Sequence, residues 1–553
     1  MPCLRASHVI RQEQATVSVS IFNRYAAFAF CLVVAIASIP LLPLWIWLWP
    51  ITLIAILLSL VGIHDLWQSD HAILRNYPVI GHIRYLVEGI RPEIRQYLLE
   101  ADDDKLPFSR SERSLVYARA KNQGGDRPFG TLLDVYADGY EFIGHSMRPA
   151  PVCDPASLRI EIGGPLCAKP YSASVLNISA MSFGSLSANA IRALNRGAKA
   201  GNFAHDTGEG SISPYHRENG GDLIWELGSG YFGCRTETGN FDPERFAAQA
   251  QDPQVKMIEI KLSQGAKPGH GGILPADKVS REIALTRGVP EGKTCVSPAR
   301  HGAFGTPIEM MQFIARLREL SGGKPVGFKF CLGHPWEFMS IVKAMLATGI
   351  TPDFIVVDGS EGGTGAAPVE FTDHLGVPLR EGLLFVHNTL VGANLRGRIR
   401  LGASGKVVSA FDMASLLAIG ADWINCARGF MFAIGCIQSQ SCHTNRCPTG
   451  VATQDALRQR ALVVPDKAER VHNFHRNTLK ALAELLAAAG VLHPSELGPH
   501  HLVRRISSTE IKLFSQLHRF LEPGSLLEGG LDGEFYASSW KLASAESFDP
   551  IRI

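Results

Sequence analysis

The sequence predicts an α/β protein, a (β/α)8 TIM-type barrel preceded by a two-helix transmembrane hairpin. Two observations carry that expectation. No Asp, Glu, Lys, Arg or His falls between Tyr25 and Ile63, a run of 39 residues. Further along, short apolar runs alternate with helix-like segments over roughly 280 residues, the pattern of a parallel sheet.

The charge-free run would extend roughly 58 Å as one helix, about twice the ~30 Å hydrocarbon core. A hairpin accommodates it. Pro40, Pro43 and Pro50 fall near the middle, and Trp45, Trp47 and Trp49 mark an interface. Arg5, Arg11 and Arg24 precede the run and Arg75 is the first Lys or Arg after it. The positive-inside rule therefore places both ends in the cytoplasm, with residues 1–24 as a cytoplasmic N-terminal segment and 25–63 as the hairpin.

Residues 64–173 read as a connector. From about Ser174 the strand-like runs are Val175–Met181, Met257–Leu262, Val326–Cys331, Phe354–Asp358, Ile399–Gly402 and Trp423–Cys426. Pro307–Leu320, Glu337–Ala347 and Ala410–Ile419 read as helices between them. No Gly-x-Gly-x-x-Gly follows an early strand, which disfavours a dinucleotide-binding sheet and leaves a barrel over 174–465. Residues 466–553 read as a helical extension, its clearest helix over Asn473–Ala489.

Composition excludes other classes. The 553 residues are 46% hydrophobic and 19% charged, too apolar for a disordered chain. A net charge of +2 gives no field for a nucleic-acid backbone. Eleven cysteines in so long a chain point to a reducing compartment rather than a disulfide scaffold.

Cys436, Cys442 and Cys447 form C-x5-C-x4-C in a polar segment, followed by Pro448. Three thiolates suit an iron–sulfur cluster with three irons; zinc with His443 as fourth ligand and unrelated structural cysteines are the alternatives. Four loops have the small residues a ligand needs at the rim of a barrel: Ala180–Ser187, Gln264–Gly272, Glu361–Pro368 and Leu401–Lys406.

The order of these loops, with the cysteines after the last strand, resembles the FMN-binding synthase domain of the glutamate synthase family. The likeness rests on Ser179-Ala-Met-Ser-Phe-Gly184, Thr207-Gly-Glu-Gly210, Ile260-Lys-Leu-Ser-Gln-Gly-Ala-Lys-Pro-Gly269, Gly362-Gly-Thr-Gly365 and Cys442-His-Thr-Asn-Arg-Cys-Pro-Thr-Gly-Val451. It implies an FMN-containing barrel with a [3Fe–4S] cluster on Cys436, Cys442 and Cys447. Met181 and Ser182 match the loop flanking the flavin, and Gln264 and Lys329 match polar contacts to its ring. Lys329 is also readable as a strand lysine reaching the rim. Gly362, Gly363 and Thr364 match a flavin-side loop, and Ser404, Gly405 and Arg428 match the phosphate site. Glu209, Lys267 and Arg287 match residues around a 2-oxo acid, with Lys329, Lys267 and Glu209 as the catalytic set; Arg287 is equally readable as a surface helix residue.

Three departures bear on the substrate. Ile273 stands where the family has a glutamine, Ala403-Ser404-Gly405 where it has Asp-Gly-Gly, and Ala299-Arg300-His301 in place of a loop richer in proline and histidine. No glutaminase domain is read ahead of the barrel; Cys3 follows Met-Pro rather than standing as an N-terminal nucleophile. The resemblance thus implies a membrane-anchored oxidoreductase of the cytoplasmic (inner) membrane, with a cytoplasmic catalytic domain. It would reduce the imine of 2-oxoglutarate and ammonia to glutamate. Its expected partners are an electron donor such as ferredoxin or a reductase subunit, and a separate glutaminase supplying ammonia. Two alternatives stand beside it: action on another 2-oxo acid or formation of an N-substituted glutamate, and an electron-transfer subunit with no substrate chemistry of its own.

Overall fold

The computed structural model describes residues 24–68, 71–101, 104, 107–125, 128–529 and 535–552. Cys3, Arg5, Arg11 and all but Arg24 of the expected N-terminal segment lie outside them. The chain divides into two compact units, Met1–Ala101 and Asp102–Ile553.

In the first unit, Ala26–Ser38 and Trp49–Trp67 are helices that pack on each other. The second buries only small or polar residues (Thr52, Ala55, Ser59, Gly62 and Asp65), while Leu53, Leu57 and Leu60 stay exposed. Close approach needs the small side chains: a Cβ on Gly62 would sit 2.2 Å from the Phe28 ring. Asp65 fixes the helix end, accepting from the Val79 N–H and from His82 Nε2, each at 2.9 Å. The expectation of a two-helix spanning hairpin is met only in part. Among the described residues, Ile46–Trp67, with 22 residues and a mean hydropathy of 2.3, is long and apolar enough to cross a membrane. The partner stretch Ala26–Leu41 is shorter, because Pro40 and Pro43 end the helix early.

The second unit is built on a closed barrel of eight parallel strands. They are β1 (Leu176–Ile178), β2 (His205–Asp206), β3 (Leu223–Leu227), β4 (Val255–Lys261), β5 (Val326–Phe330), β6 (Phe354–Asp358), β7 (Arg400–Ser404) and β8 (Trp423–Cys426). The strands pair in chain order, and β8 closes on β1 through Ile424–Leu176, Asn425–Asn177 and Cys426–Ile178. The sequence pattern misses β2 and β3: β2 has two residues, both polar, and Glu226 interrupts the apolar run of β3.

Side chains alternate across the pleat. The outward set, including Trp225, Ile258, Phe328, Ile355 and Ile424, packs under the surrounding helices in one core. The inward set at the N-terminal end forms a separate apolar floor of Ala204, Ile224, Met257, Phe354, Val356 and Trp423. Ile162, Tyr171 and Ala173 close it from below. These three come from an antiparallel hairpin of Arg159–Ile162 with Tyr171–Ser174. Two glycines make the floor possible: a Cβ on Gly327 would meet the Phe354 ring at 2.6 Å, and one on Gly402 the Trp423 ring at 2.5 Å.

Elements flanking the barrel pack onto it. Helix Arg110–Ala120, in the stretch read as a connector, starts with a capping box on Ser109 and Glu112. It lies against helix Val464–Ala489, which begins nine residues before the expected Asn473 and also packs on Ala188–Gly201 and Ala410–Ala418. The C-terminal extension is not purely helical. Leu502–Arg505 pairs with Ile511–Leu513 and with Glu141–Ile143 in a three-stranded antiparallel sheet, from strands too short to show a period.

Candidate active site

The inward positions change character toward the C-terminal ends of the strands. One pleat above the floor stand Asp206, Glu226, Glu259 and Lys329, all buried. Lys329 Nζ forms an ion pair with Glu226 Oε2 and lies 3.4 Å from Glu259 Oε1. Burial works against the Lys329 ammonium, but Glu226, Glu259, Asp206 and Asp358 outweigh it and hold its pKa well above the ordinary value. Asp206, Glu226 and Glu259 also bring their oxygens close enough for one metal ion, yet the lysine ammonium already supplies the cation.

Above this layer the cavity opens. On one side Glu209 faces three cations. Lys261 Nζ is 3.3 Å from Glu209 Oε2 and donates to Gln264 Oε1 at 3.3 Å. Burial alone would raise the Glu209 carboxyl, but Lys261, Arg287 and Lys267 hold it below its ordinary value. Lys267 is buried, and burial together with Lys261 pulls its ammonium down. Arg287 is not a surface residue: it is 4% exposed. It donates from Nη2 to the Phe183 carbonyl at 3.1 Å, and its Nε finds no partner among the described residues. Gly272 makes room here, since a Cβ would fall 2.0 Å from Glu209 Oε1. His301 braces the wall from behind, its Nδ1 3.1 Å from the Tyr231 hydroxyl and its Nε2 2.8 Å from the Lys261 carbonyl. Burial pushes its pKa down to about 4, so it stays neutral.

On the opposite side the loops after β6, β7 and β8 converge. Arg428 donates from Nη2 to the Thr364 carbonyl at 2.9 Å, and Ser404 Oγ lies 3.3 Å from Ser179 Oγ. Gly363 permits that approach, because a Cβ would meet Arg428 Nη2 at 3.0 Å. Gly362, Gly363, Thr364, Ser404, Gly405 and Arg428 therefore line the end of the cavity after the last strands, where barrels hold phosphate. Met181, Ser182, Gln264 and Lys329 line its middle.

The cysteine loop adjoins the same cavity. Cys442 and His443 line it; Cys436 and Cys447 are buried behind. Buried Lys278 ties the loop down, donating to the carbonyls of Cys442 at 2.8 Å and Ala452 at 3.2 Å. Tyr117 donates to the Cys436 carbonyl at 2.6 Å. Burial raises the Cys447 thiol, but backbone N–H groups of Ala452, Thr449 and Val451 and the Thr449 hydroxyl turn the balance, and its pKa is lowered. The three sulfurs do not gather within 4.8 Å of one another, as ligands of a single ion would. Burial pushes the Cys436 thiol up to about 11; as a donor set, three cysteines spread apart with amide N–H groups around Cys447 fit the ligands of a multi-iron cluster.

Residues 168–492 match the family description "conserved region in glutamate synthase". That is more than half of the chain. The chain belongs to the glutamate synthase family. It is 39% identical over 507 residues to the glutamate synthase large subunit-like protein YerD of Bacillus subtilis, covering 84% of this chain and 96% of that one. It is 31% identical over 391 residues to the archaeal-type glutamate synthase [NADPH] of Thermotoga neapolitana, covering 67% and 73%. With the glutamate synthase [NADPH] large chain of B. subtilis it shares 32% identity over 340 residues, 58% of this chain but 21% of that one. Proteins so named are oxidoreductases, and this chain is an enzyme of that family.

Within this glutamate synthase framework, all the expected flavin-side and substrate-side residues line one cavity, along with Cys442. Lys261 and the carboxyls Asp206, Glu226 and Glu259 escaped the sequence reading. Their signal is charge at inward strand positions, Glu226 in an otherwise apolar strand and Glu259 and Lys261 two residues apart in the next, where burial demands a partner. Of the departures, Ile273 is 43% exposed at the cavity edge, in a short strand paired with Cys295–Val296.

Proposed function

We propose that the chain binds FMN along this cavity and a [3Fe–4S] cluster on Cys436, Cys442 and Cys447, and reduces the imine of 2-oxoglutarate and ammonia to glutamate. The observation that carries the substrate is the charge of the wall. Lys261, Lys267 and Arg287 against Glu209 leave a surplus of two positive charges, which a dianionic dicarboxylate neutralises. A 2-oxo acid with one carboxylate leaves a buried cation unpaired, and that costs affinity.

FMN supplies hydride chemistry when bound. Lys329, lining the cavity, would offer its ammonium to the negative charge of a reduced flavin. Lys267 and Arg287 hold the carboxylates of the oxo acid. Glu209, kept ionised by its three cationic neighbours, accepts hydrogen bonds from ammonia or the imine nitrogen and aims it across the cavity. Lys261, bridging Glu209 and Gln264, holds that carboxylate in place and offers an ammonium proton for the developing amine. Nitrogen comes from free ammonia or from a glutaminase partner, and electrons from ferredoxin or a reductase subunit.

The N-terminal unit anchors the protein in the inner membrane, with the catalytic body in the cytoplasm. Support comes from the apolar length of Ile46–Trp67 and from helices that bury small residues and expose large apolar ones.

Anaerobically purified protein should contain about one FMN and three irons per chain. Cys442→Ser should abolish the cluster signals. With a reduced low-potential donor and ammonium, 2-oxoglutarate should turn over fastest in a panel of 2-oxo acids, and glutamine alone should give nothing. A better monocarboxylate or an amine co-substrate would redirect the reading to another 2-oxo acid or an N-substituted glutamate. Inactivity of the whole panel with both cofactors present would favour the electron-transfer subunit. Reporter fusions at both ends should report cytoplasm, and the full chain should fractionate with membranes.

A further inference from the structure

Five successive strands each bring one ionisable side chain toward the middle of the barrel: Asp206 on β2, Glu226 on β3, Glu259 on β4, Lys329 on β5 and Asp358 on β6. Four carboxyls therefore surround one ammonium, and they cannot all be ionised in so dry a place. Their hydrogen bonds show which are provided for. Glu226 is paired with Lys329. Asp358 accepts from the Gly265 N–H at 2.7 Å and from the Ser404 hydroxyl. Asp206 accepts from the Gly208 N–H at 3.0 Å through Oδ1, but no donor among the described residues reaches its Oδ2. Among the described residues no donor reaches either oxygen of Glu259; what faces it is the Asp206 carboxyl and, 3.4 Å away, the Lys329 ammonium. Asp206 and Glu259 are neighbours, with oxygens within 4.8 Å. Two adjacent buried carboxyl groups that turn three donorless acceptor atoms toward each other and toward one lysine are satisfied only when a proton sits between them.

We propose that Asp206 and Glu259 are a proton-sharing pair that positions charge beneath the flavin, holding one proton when the flavin is oxidised and a second when it is reduced. This rests on the FMN reading above. Reduction brings two electrons and one proton to the flavin ring, so the ring gains one negative charge. That charge draws on Lys329, the cation that otherwise stabilises the Asp206 carboxylate. The carboxylate then takes a proton from solvent, and the site as a whole takes up two protons for two electrons. Burial beside Glu226 pushes the Asp206 carboxyl up to about 7, and burial beside Asp206 holds Glu259 well above its ordinary range. The oxidised site is thus poised to bind that proton near neutrality. Asp206 and Glu259 lie behind the residues that line the cavity; they act through Lys329 as positioning residues.

The test is the pH dependence of the flavin potential in the FMN-loaded full chain, measured from about pH 6 to about pH 9 against reference dyes with dithionite as reductant. Above about pH 7 the wild-type reduction constant should fall about a hundredfold per pH unit, against about tenfold in Asp206→Asn; the difference is ~30 mV per pH unit for a two-electron couple. Glu259→Gln should retain the extra proton and move the pH at which it appears. The wild-type reduced-minus-oxidised infrared spectrum should gain the carbonyl band of a protonated carboxylic acid, which requires no variant. Equal slopes in wild type and Asp206→Asn, or no new carboxyl band, would overturn the proposal with the flavin reading intact. A chain that binds no FMN would overturn that reading and this one with it.

Discussion

At the floor of the barrel, Ile224, Met257, Val356 and Trp423 pack against a hairpin, with no charge among the four; one pleat higher, the same strands present Glu226, Glu259, Asp358 and Asn425. Residues two positions apart on one strand thus do unlike work. The floor is an ordinary core whose worth scales with buried apolar area. The upper layer is a set of charges that only neighbouring strands can neutralise. A single substitution is therefore felt differently at the two levels.

The largest effect should come from the charged level. Lys329→Met removes the one cation among four carboxyls and should cost about 3–5 kcal/mol of stability near pH 8, together with the activity. That loss should shrink as the pH falls, because protons on the Asp206–Glu259 pair, whose carboxyls are already pushed up, relieve the charge the ammonium neutralised; denaturant unfolding at several pH values measures it. A cost independent of pH would mean that the lysine packs there rather than neutralises. Lys267→Ala should spare folding and weaken 2-oxo-acid binding by roughly 2–5 kcal/mol, read by titration of the oxidised enzyme. At the floor, Gly402→Ala forces a methyl group against Trp423 and should cost about 1–3 kcal/mol at every pH, with flavin binding retained.

The smallest effect concerns slope rather than size. Asp206 titrates at about 7 in the folded protein and near 3.8 when unfolded, so the folded state binds the extra proton between those values. Its contribution is complete below about 3.8, declines as the pH rises toward 7 and is gone above it. Neutral buried His205, near 3, and His301, near 4, act in the opposite sense and lose stability in acid. Asp206→Asn should therefore flatten only the Asp206 component, visible as a difference between the stability–pH curves of variant and wild type.

The sequence discloses the loops better than the layers. Gly362-Gly-Thr-Gly365, Lys267 and the three cysteines lie in local patterns with a chemical purpose, and the cavity gathers most of them. Glu226 and Glu259 each look like a stray charge among apolar residues, and Asp206 like part of a polar loop. Their meaning depends on which strands are neighbours, and the pairing register decides that. The sheet of Glu141–Ile143 with Leu502–Arg505 is hidden for the same reason, since its partners lie hundreds of residues apart. The N-terminal helices show the converse: composition marks the apolar stretch, and proline sets how much of it is helix.

The hairpin under the floor has a consequence for how such a domain is inherited. Ile162, Tyr171 and Ala173 precede the first barrel strand, and Tyr117, earlier still, braces the carbonyl of Cys436. Neither belongs to the repeating strand–helix unit. A recombination event that transplanted only the eight repeats would carry the pocket without its stopper and the cysteine loop without its brace. The unit of exchange must therefore reach back to the helix at Arg110–Ala120, and gene fusions that respect that boundary are the ones expected to yield a working enzyme.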